Sequence, residues 1–304
     1  MVLITGGSRG LGLVLARELA LRGAKLAILA RDVNELKQAR ASIHPLAPVS
    51  LVPADVTSPL QAQEAVDHVI RDFGRLDVLV NNAGLIVSTP FADTSDEDFE
   101  AALAVHFWGT LHMTRAALPY LERRPGARLV NICSVGGKIG VPHLSAYCAS
   151  KFAQAGLSAV LTDELRQRGI TVTTVFPGLM RTGSHRNARF KGHARQEFAA
   201  FALANGLPGT SMGAERAARQ ILYGVARGSA ELVIPLTVRQ LTRLSALLPN
   251  QTASVMSSVN RLLPSPRNNP GAAATRGADI PMHPVLRTAI GLSESAASRH
   301  NELA

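Results

Sequence analysis

The sequence predicts an α/β chain built on a doubly wound parallel sheet of about seven strands with helices on both faces. Three observations carry this. An apolar run, Val2–Ile4, passes directly into the glycine-rich turn Thr5–Gly12 (TGGSRGLG) and then into a helical pattern ending at Gly23. Further short apolar runs follow at Lys25–Ala30, Val49–Ala54, Leu76–Val80, Ala127–Cys133, Gly169–Phe176 and Glu231–Pro235, several of them separated by helical periodicity. Polar and glycine-bearing motifs sit just after the C-terminal ends of these runs, where ligands bind in sheets of this kind.

Taken in order, Leu11, Val14, Leu15, Leu19 and Leu21 give the first helix its apolar side. Gly6, Gly10 and Gly12 allow unusual dihedrals and let a phosphate approach the backbone, and the helix N-terminus beyond them favours an anion. The second strand ends at Ala30 and is followed by Arg31, where a carboxylate would bind a ribose 2′-hydroxyl. Arg9 in the turn and Arg31 here would suit a 2′-phosphate, so NADP(H) is expected. The third strand leads to Asp55-Val56-Thr57, and Pro59–Phe73 reads as an amphipathic helix. The fourth strand is closed by NNAG, Asn81–Gly84. Ser95–Leu121 reads as a long helix broken near Pro119. The fifth strand delivers Ser134, and Ser145–Arg168 is the helix of Tyr147 and Lys151. Those two residues are four apart, one turn along a common face. An ammonium beside a phenol favours the phenolate and lowers its pKa, which would equip Tyr147 for acid-base work on an oxygen held by Ser134. The sixth strand ends in Pro177–Thr182 (PGLMRT), Ala214–Arg227 forms a further helix, and Glu231–Pro235 is the seventh strand.

The composition narrows the classes of function. A chain of 304 residues, 46% hydrophobic, is large enough for a substantial core. Two cysteines, Cys133 and Cys148, give no disulfide framework and suit a reduced, cytoplasmic setting. The N-terminus does not read as a signal peptide, and no apolar run reaches transmembrane length. The first strand starts at residue 1 or 2, so either that strand is short or the chain begins upstream. The net charge is +10, and only five of the 32 basic residues are Lys. The arginines are scattered and aromatic residues make up only 4%, which argues against nucleic-acid binding and for an anionic cofactor or a weak membrane-surface contact.

With these motifs in this order, the sequence resembles the short-chain dehydrogenase/reductase family, in its NADP-using Rossmann branch, over about residues 1–235. TGGSRGLG is similar to the family's cofactor loop, Asp55 to its adenine-contacting Asp, and NNAG to its signature after the fourth strand. Ser134 with Tyr147-x-x-x-Lys151 matches the catalytic Ser and Y-x-x-x-K, and Thr182 the Thr that contacts the nicotinamide amide. The resemblance implies reversible hydride transfer between NADP(H) and a small, apolar carbonyl or secondary alcohol. Tyr147 would be the acid in reduction, Lys151 would lower its pKa and hold the nicotinamide ribose, and Ser134 would polarise the substrate oxygen. The cofactor residues it implies are Gly6, Ser8, Arg9, Gly10, Leu11, Gly12, Arg31, Asp55, Val56, Asn82, Ala83, Gly84, Tyr147, Lys151, Pro177, Gly178 and Thr182. A homo-oligomer is expected. One position departs: His106 stands where the family has an Asn whose water serves the Lys, and imidazole could keep that relay or carry a charge that weakens it.

Residues 183–212 lie where the family carries its substrate lid, with Phe190, Phe198 and Phe201 as an apolar wall and Arg186, Arg189, Lys191 and Arg195 as neighbouring charges. His185 and His193 have no matching ligand set, so no metal site is expected. Residues 236–304 read as an extension: two amphipathic helices at Leu236–Leu248 and Thr252–Leu263, a flexible Pro/Gly/Ala-rich linker from Pro264 to Met282, and a short final helix. The helices could cover the site, build a dimer face or lie on a membrane. The competing class is a non-catalytic NADP(H)-binding sensor or scaffold that keeps the fold.

Overall fold

The computed structural model describes residues 1–206 and 209–303. Leu207 and Pro208, inside the stretch expected as a lid, and Ala304 lie outside the described residues. Seven strands form one parallel sheet: β1 (Val2–Thr5), β2 (Leu26–Ala30), β3 (Val49–Pro53), β4 (Val78–Asn81), β5 (Arg128–Ile132), β6 (Thr171–Pro177) and β7 (Glu231–Ile234). Their order is β7-β6-β5-β4-β1-β2-β3. The chain winds outward from β1 to β3, then crosses back to β4 on the other side of β1. The switch point therefore falls between β1 and β4, and the glycine turn and the NNAG stretch emerge side by side there.

The strands are apolar on both faces because both faces are covered. Ile4, Ile28, Val80 and Val130 pack with α1 (Gly10–Ala20), α2 (Val33–Ile43) and α8 (Ala214–Ala226) through Val14, Leu36 and Ile221. Leu3, Leu29, Leu79 and Leu129 point the other way, against Val69 of α3 (Pro59–Phe73), Met113 of α5 (Gly109–Leu121) and Leu165 of α6 (Ser145–Arg166). Helix α2 has no counterpart in the sequence prediction. Its N-cap is Asp32, whose carboxylate accepts from the Asn34 and Glu35 amides at 2.7 and 3.0 Å.

The helix expected over Ser95–Leu121 is irregular in a different place. Helix α4 (Asp96–Leu103) begins with a capping box between Ser95 and Asp98 and runs into a π-helical turn, Ala104–Trp108, before α5. Pro119 lies inside α5, in its last turn, and does not break it.

Beyond β7 come α9 (Leu236–Leu247) and α10 (Pro249–Asn260), as two helices, with α10 burying no residue. The stretch expected as a flexible linker lies against the body of the protein. Thr275–Arg276 pairs antiparallel with Arg189–Phe190, and the Arg267 and Asn269 amides donate to Asp93 at 2.9 and 2.7 Å. The chain then forms α11 (Pro284–Ala289) and α12 (Gly291–Arg299). Phe190 and Phe198, expected as a wall of the substrate site, are instead core: they are buried with Ile280 and Ile290, so helix α7 (Ala194–Gly206) and the C-terminal segment share one hydrophobic cluster. Two of the basic side chains in this region are paired. Lys191 donates to Asp98 at 2.6 Å and Arg186 to Glu294 at 3.0 Å.

Candidate active site

Close packing shapes the glycine turn. Gly6 has φ +62°, and a Cβ there would lie 2.9 Å from the Ala83 Cα; one on Gly12 would lie 2.1 Å from the Gly6 carbonyl oxygen. Asn82 locks the turn from β4, its side-chain amide donating to the Thr5 and Gly6 carbonyls at 3.0 Å each. The Thr5 hydroxyl accepts from the Asn82 and Ala83 amides. Leu11 is buried in the first turn of α1. Ser8 donates to the Glu35 carboxylate at 2.9 Å, and Arg9 is ion-paired to the same group. Arg31 is largely exposed, 3.7 Å from Asp55, which itself accepts from the Thr57 amide and hydroxyl. Val56 fills the space left at Gly109, where a Cβ would meet it at 2.8 Å. The turn, the helix N-terminus and the Ser8, Arg9 and Arg31 donors together fit an anionic dinucleotide.

Strand β6 ends at Pro177. The Gly178 amide donates to the Ile234 carbonyl at 2.7 Å, and Gly178 leaves room for Val238. Thr182 is buried, and its hydroxyl accepts from the Ser184 amide at 3.2 Å.

Ser134 leaves the end of β5 and accepts the Gly136 amide at 3.1 Å. Helix α6 carries Tyr147 and Lys151. The Lys151 ammonium lies 5.9 Å from the Tyr147 ring centroid and donates to the Ile132 carbonyl at 3.0 Å and to the Gln154 side-chain oxygen at 2.9 Å. The Gln154 amide in turn donates to Thr110 at 2.9 Å. Burial lowers the Lys151 pKa to about 8. Burial raises that of Tyr147 well above its ordinary value, with the Ser134 hydroxyl pulling it the other way. The lowering of the Tyr147 pKa expected from Lys151 is not seen in this arrangement, where burial dominates and the ammonium bonds to Ile132 and Gln154. Gln154 and Thr110 were not anticipated. The available signal was a buried polar stripe on α6, in which Gln154 and Ser158 follow Lys151 at helical spacing.

His106 occupies the π-turn and is fully buried, its ring edge-on to Tyr147 at 5.3 Å between centroids. Its Nε2 accepts the Leu85 amide at 3.2 Å, so Nδ1 carries the hydrogen and donates to Ser150 at 2.8 Å. Ser150 passes its own hydrogen to the Tyr147 carbonyl at 2.8 Å. Burial, aided by the Lys151 charge, holds the His106 pKa well below 6.5, so the ring is neutral. The structure therefore joins His106 to the backbone after NNAG and to α6. The ring makes no direct hydrogen bond to Lys151. Gly84 is needed beside it, since a Cβ there would lie 3.1 Å from His106 Nε2.

The family model for short chain dehydrogenase matches residues 1–191. The chain belongs to the short-chain dehydrogenase family. Among relatives of this short-chain dehydrogenase is 3-ketodihydrosphingosine reductase of Bacteroides thetaiotaomicron, 33% identical over 183 residues, or 60% of this chain and 65% of that protein. The match thus spans just under two thirds of that relative's length. An 11-beta-hydroxysteroid dehydrogenase-like protein (4A) of Arabidopsis thaliana is 34% identical over 252 residues, covering 82% of this chain and 81% of that one. A solved short-chain dehydrogenase from Streptomyces avermitilis superposes with TM-score 0.71 at 27% identity, covering 86% of this chain and 97% of that one. Another, from Burkholderia phymatum in complex with NAD, reaches TM-score 0.74 at 24% identity, which bears on the fold alone. The seven-stranded parallel sheet is the Rossmann-type sheet of these neighbours.

Proposed function

We propose that this short-chain dehydrogenase transfers hydride reversibly between NADP(H) and a small, apolar carbonyl or secondary alcohol, with Tyr147 as the acid-base residue. The observation that carries this reading is the setting of Tyr147: its phenol lies beside Ser134 at the C-terminal edge of the sheet, on the helix that brings in Lys151. The cofactor, when bound, supplies the hydride. The raised Tyr147 pKa keeps the phenol protonated near neutral pH, so it has a proton to give to the substrate oxygen during reduction. Ser134 orients that oxygen by a hydrogen bond. Lys151 reaches the ribose and the phenol by leaving Ile132 and Gln154. Ser8, Arg9 and Arg31 support NADP(H) over NAD(H), since a 2′-phosphate would take the place that the Glu35 carboxylate holds between Ser8 and Arg9.

The engagement of Lys151 by Ile132 and Gln154 favours a second reading, a non-catalytic NADP(H)-binding sensor or scaffold. NADPH oxidation measured across a panel of ketones and aldehydes separates the two. The enzyme reading expects turnover that falls about 10²–10⁴-fold in Tyr147→Phe with cofactor binding retained. Cofactor binding without turnover on any carbonyl, unchanged by that substitution, would sink it. Residues 1–235 as the catalytic unit, a homo-oligomer, a cytoplasmic location and a weak membrane-surface contact through the C-terminal extension belong to the same proposal. The exposed Leu241, Leu244 and Leu247 support the last.

A further inference from the structure

The segment after α12 ends in the groove that the glycine turn makes. The His300 carbonyl accepts the Gly10 amide hydrogen, at the N-terminus of α1, at 2.9 Å. Asn301 has the left-handed φ of +58° and donates from its side chain to the Ser8 and Glu35 carbonyls at 3.0 and 3.3 Å. The Glu302 carboxylate is buried directly over Gly10: a Cβ on that glycine would lie 2.5 Å from Glu302 Oε1. Arg9 approaches it to 3.8 Å, and the Asn187 side chain holds the Glu302 carbonyl at 3.1 Å. At the far side His300 reaches the Thr182 carbonyl at 3.3 Å and Glu215 at 3.1 Å. Three consecutive residues thus bridge the glycine turn and the Pro177–Thr182 stretch, the two rims between which a dinucleotide's phosphates would pass.

An anion at this spot is what a helix N-terminus and an arginine favour. Glu302 supplies it, but as a buried carboxyl. Burial pushes its pKa up to about 7, against the pull of Arg9. The contact is therefore held by packing and amide hydrogen bonds as much as by charge, and a diphosphate would bring more charge to the same donors. Both cannot occupy the Gly10 amide.

We propose that His300, Asn301 and Glu302 are an internal occupant of the cofactor groove, which dinucleotide binding must displace. This rests on the cofactor reading above. If the groove is open in about a tenth of molecules, the apparent Kd for cofactor is raised about tenfold by the segment. The replacement Asn301→Gly with Glu302→Ala keeps the left-handed backbone while removing the anion and the side-chain amide. Calorimetric titration with NADPH is expected to show the Kd falling about tenfold in the doubly substituted protein. An unchanged or higher Kd overturns the displacement while leaving the cofactor reading intact; absence of NADPH and NADH binding in both proteins overturns both. Hydrogen exchange on the wild-type protein gives an independent measure. The Glu302 amide, bonded to the Ala297 carbonyl at 2.9 Å, should exchange faster when NADPH is added. Slower exchange would show that the segment closes over the cofactor, and would overturn the proposal.

Discussion

Gln154 accepts a hydrogen bond from Lys151 at 2.9 Å and is itself anchored to Thr110 across the helix interface. This pairing, with the Ile132 carbonyl, fixes the position of the buried ammonium. Removing it should shift the ionisation of Lys151. In Gln154→Leu the charged form loses a partner and the pKa falls below about 8, whereas Gln154→Glu raises it. The alkaline limb of a pH profile of kcat/KM is expected to move in those two directions. A limb that stays in place in both variants would mean that Gln154 only fills space.

Lys151 also ties stability to pH. The unfolded chain holds this proton up to about 10.5 and the folded one only to about 8. Between those values the unfolded state binds more protons, so stability rises as pH rises. The interval corresponds to roughly 3 kcal/mol. Urea denaturation of wild type and Lys151→Met, compared at about pH 7 and about pH 10, should show the rise in the first protein and much less of it in the second. Parallel curves would refute the assignment.

His106 acts in the acid range with the same sign. Its folded pKa lies well below 6.5, so below 6.5 the unfolded chain takes a proton that the folded one refuses, and stability is lost as pH falls. His106→Asn should flatten that loss and retain or raise turnover, because an amide can still accept the Leu85 hydrogen. His106→Ala leaves the Leu85 amide and the Ser150 hydroxyl without the ring and should cost about 1–3 kcal/mol in denaturant. A large loss of activity in His106→Asn would point to a chemical role of its own.

Arg9 and Arg31 should discriminate between the two nicotinamide dinucleotides. Each replacement by Ala is expected to weaken NADPH binding about tenfold, the scale of one charge-assisted hydrogen bond, and to leave NADH binding nearly unchanged. Titrations of both cofactors against each variant read this directly. Equal losses for the two would remove the 2′-phosphate from the argument.

Gly12 tests the close packing of the turn. Its added Cβ would lie 2.1 Å from a backbone oxygen, so Gly12→Ala must move the turn or the helix. A destabilisation of about 2 kcal/mol or more is expected by thermal or urea unfolding. Wild-type stability in this variant would show that the turn yields easily.

The sheet was legible because strands covered on both faces read as continuous apolar runs, with their motifs gathered at one end. Helix α2 is hard to read because it buries only Leu36, Ala39 and Ile43, although Asp32 and Glu35 mark its start. The π-turn sits between α4 and α5 and brings His106 against Ser150 and Tyr147 of α6, contacts that no local pattern encodes. Lys151 was expected on α6, but one of its partners, the Ile132 carbonyl, comes from β5 and the other, Gln154, is itself held by Thr110 of α5, so its position depends on tertiary packing. The C-terminal segment was the least readable. Its Pro, Gly and Asn content suits a linker, and its contacts lie far away in sequence, Asn301 reaching Ser8 across 293 positions.

Asn82 has one further consequence. By bonding to two successive carbonyls of the glycine turn, it acts as a rivet between the two halves of the winding, and the turn has its shape before any ligand arrives. Little conformational entropy is then left to lose there on association. Asn82→Ala would convert a preset mould into one that each incoming molecule has to cast anew, and the cost would appear as an entropic penalty on every ligand of the turn alike.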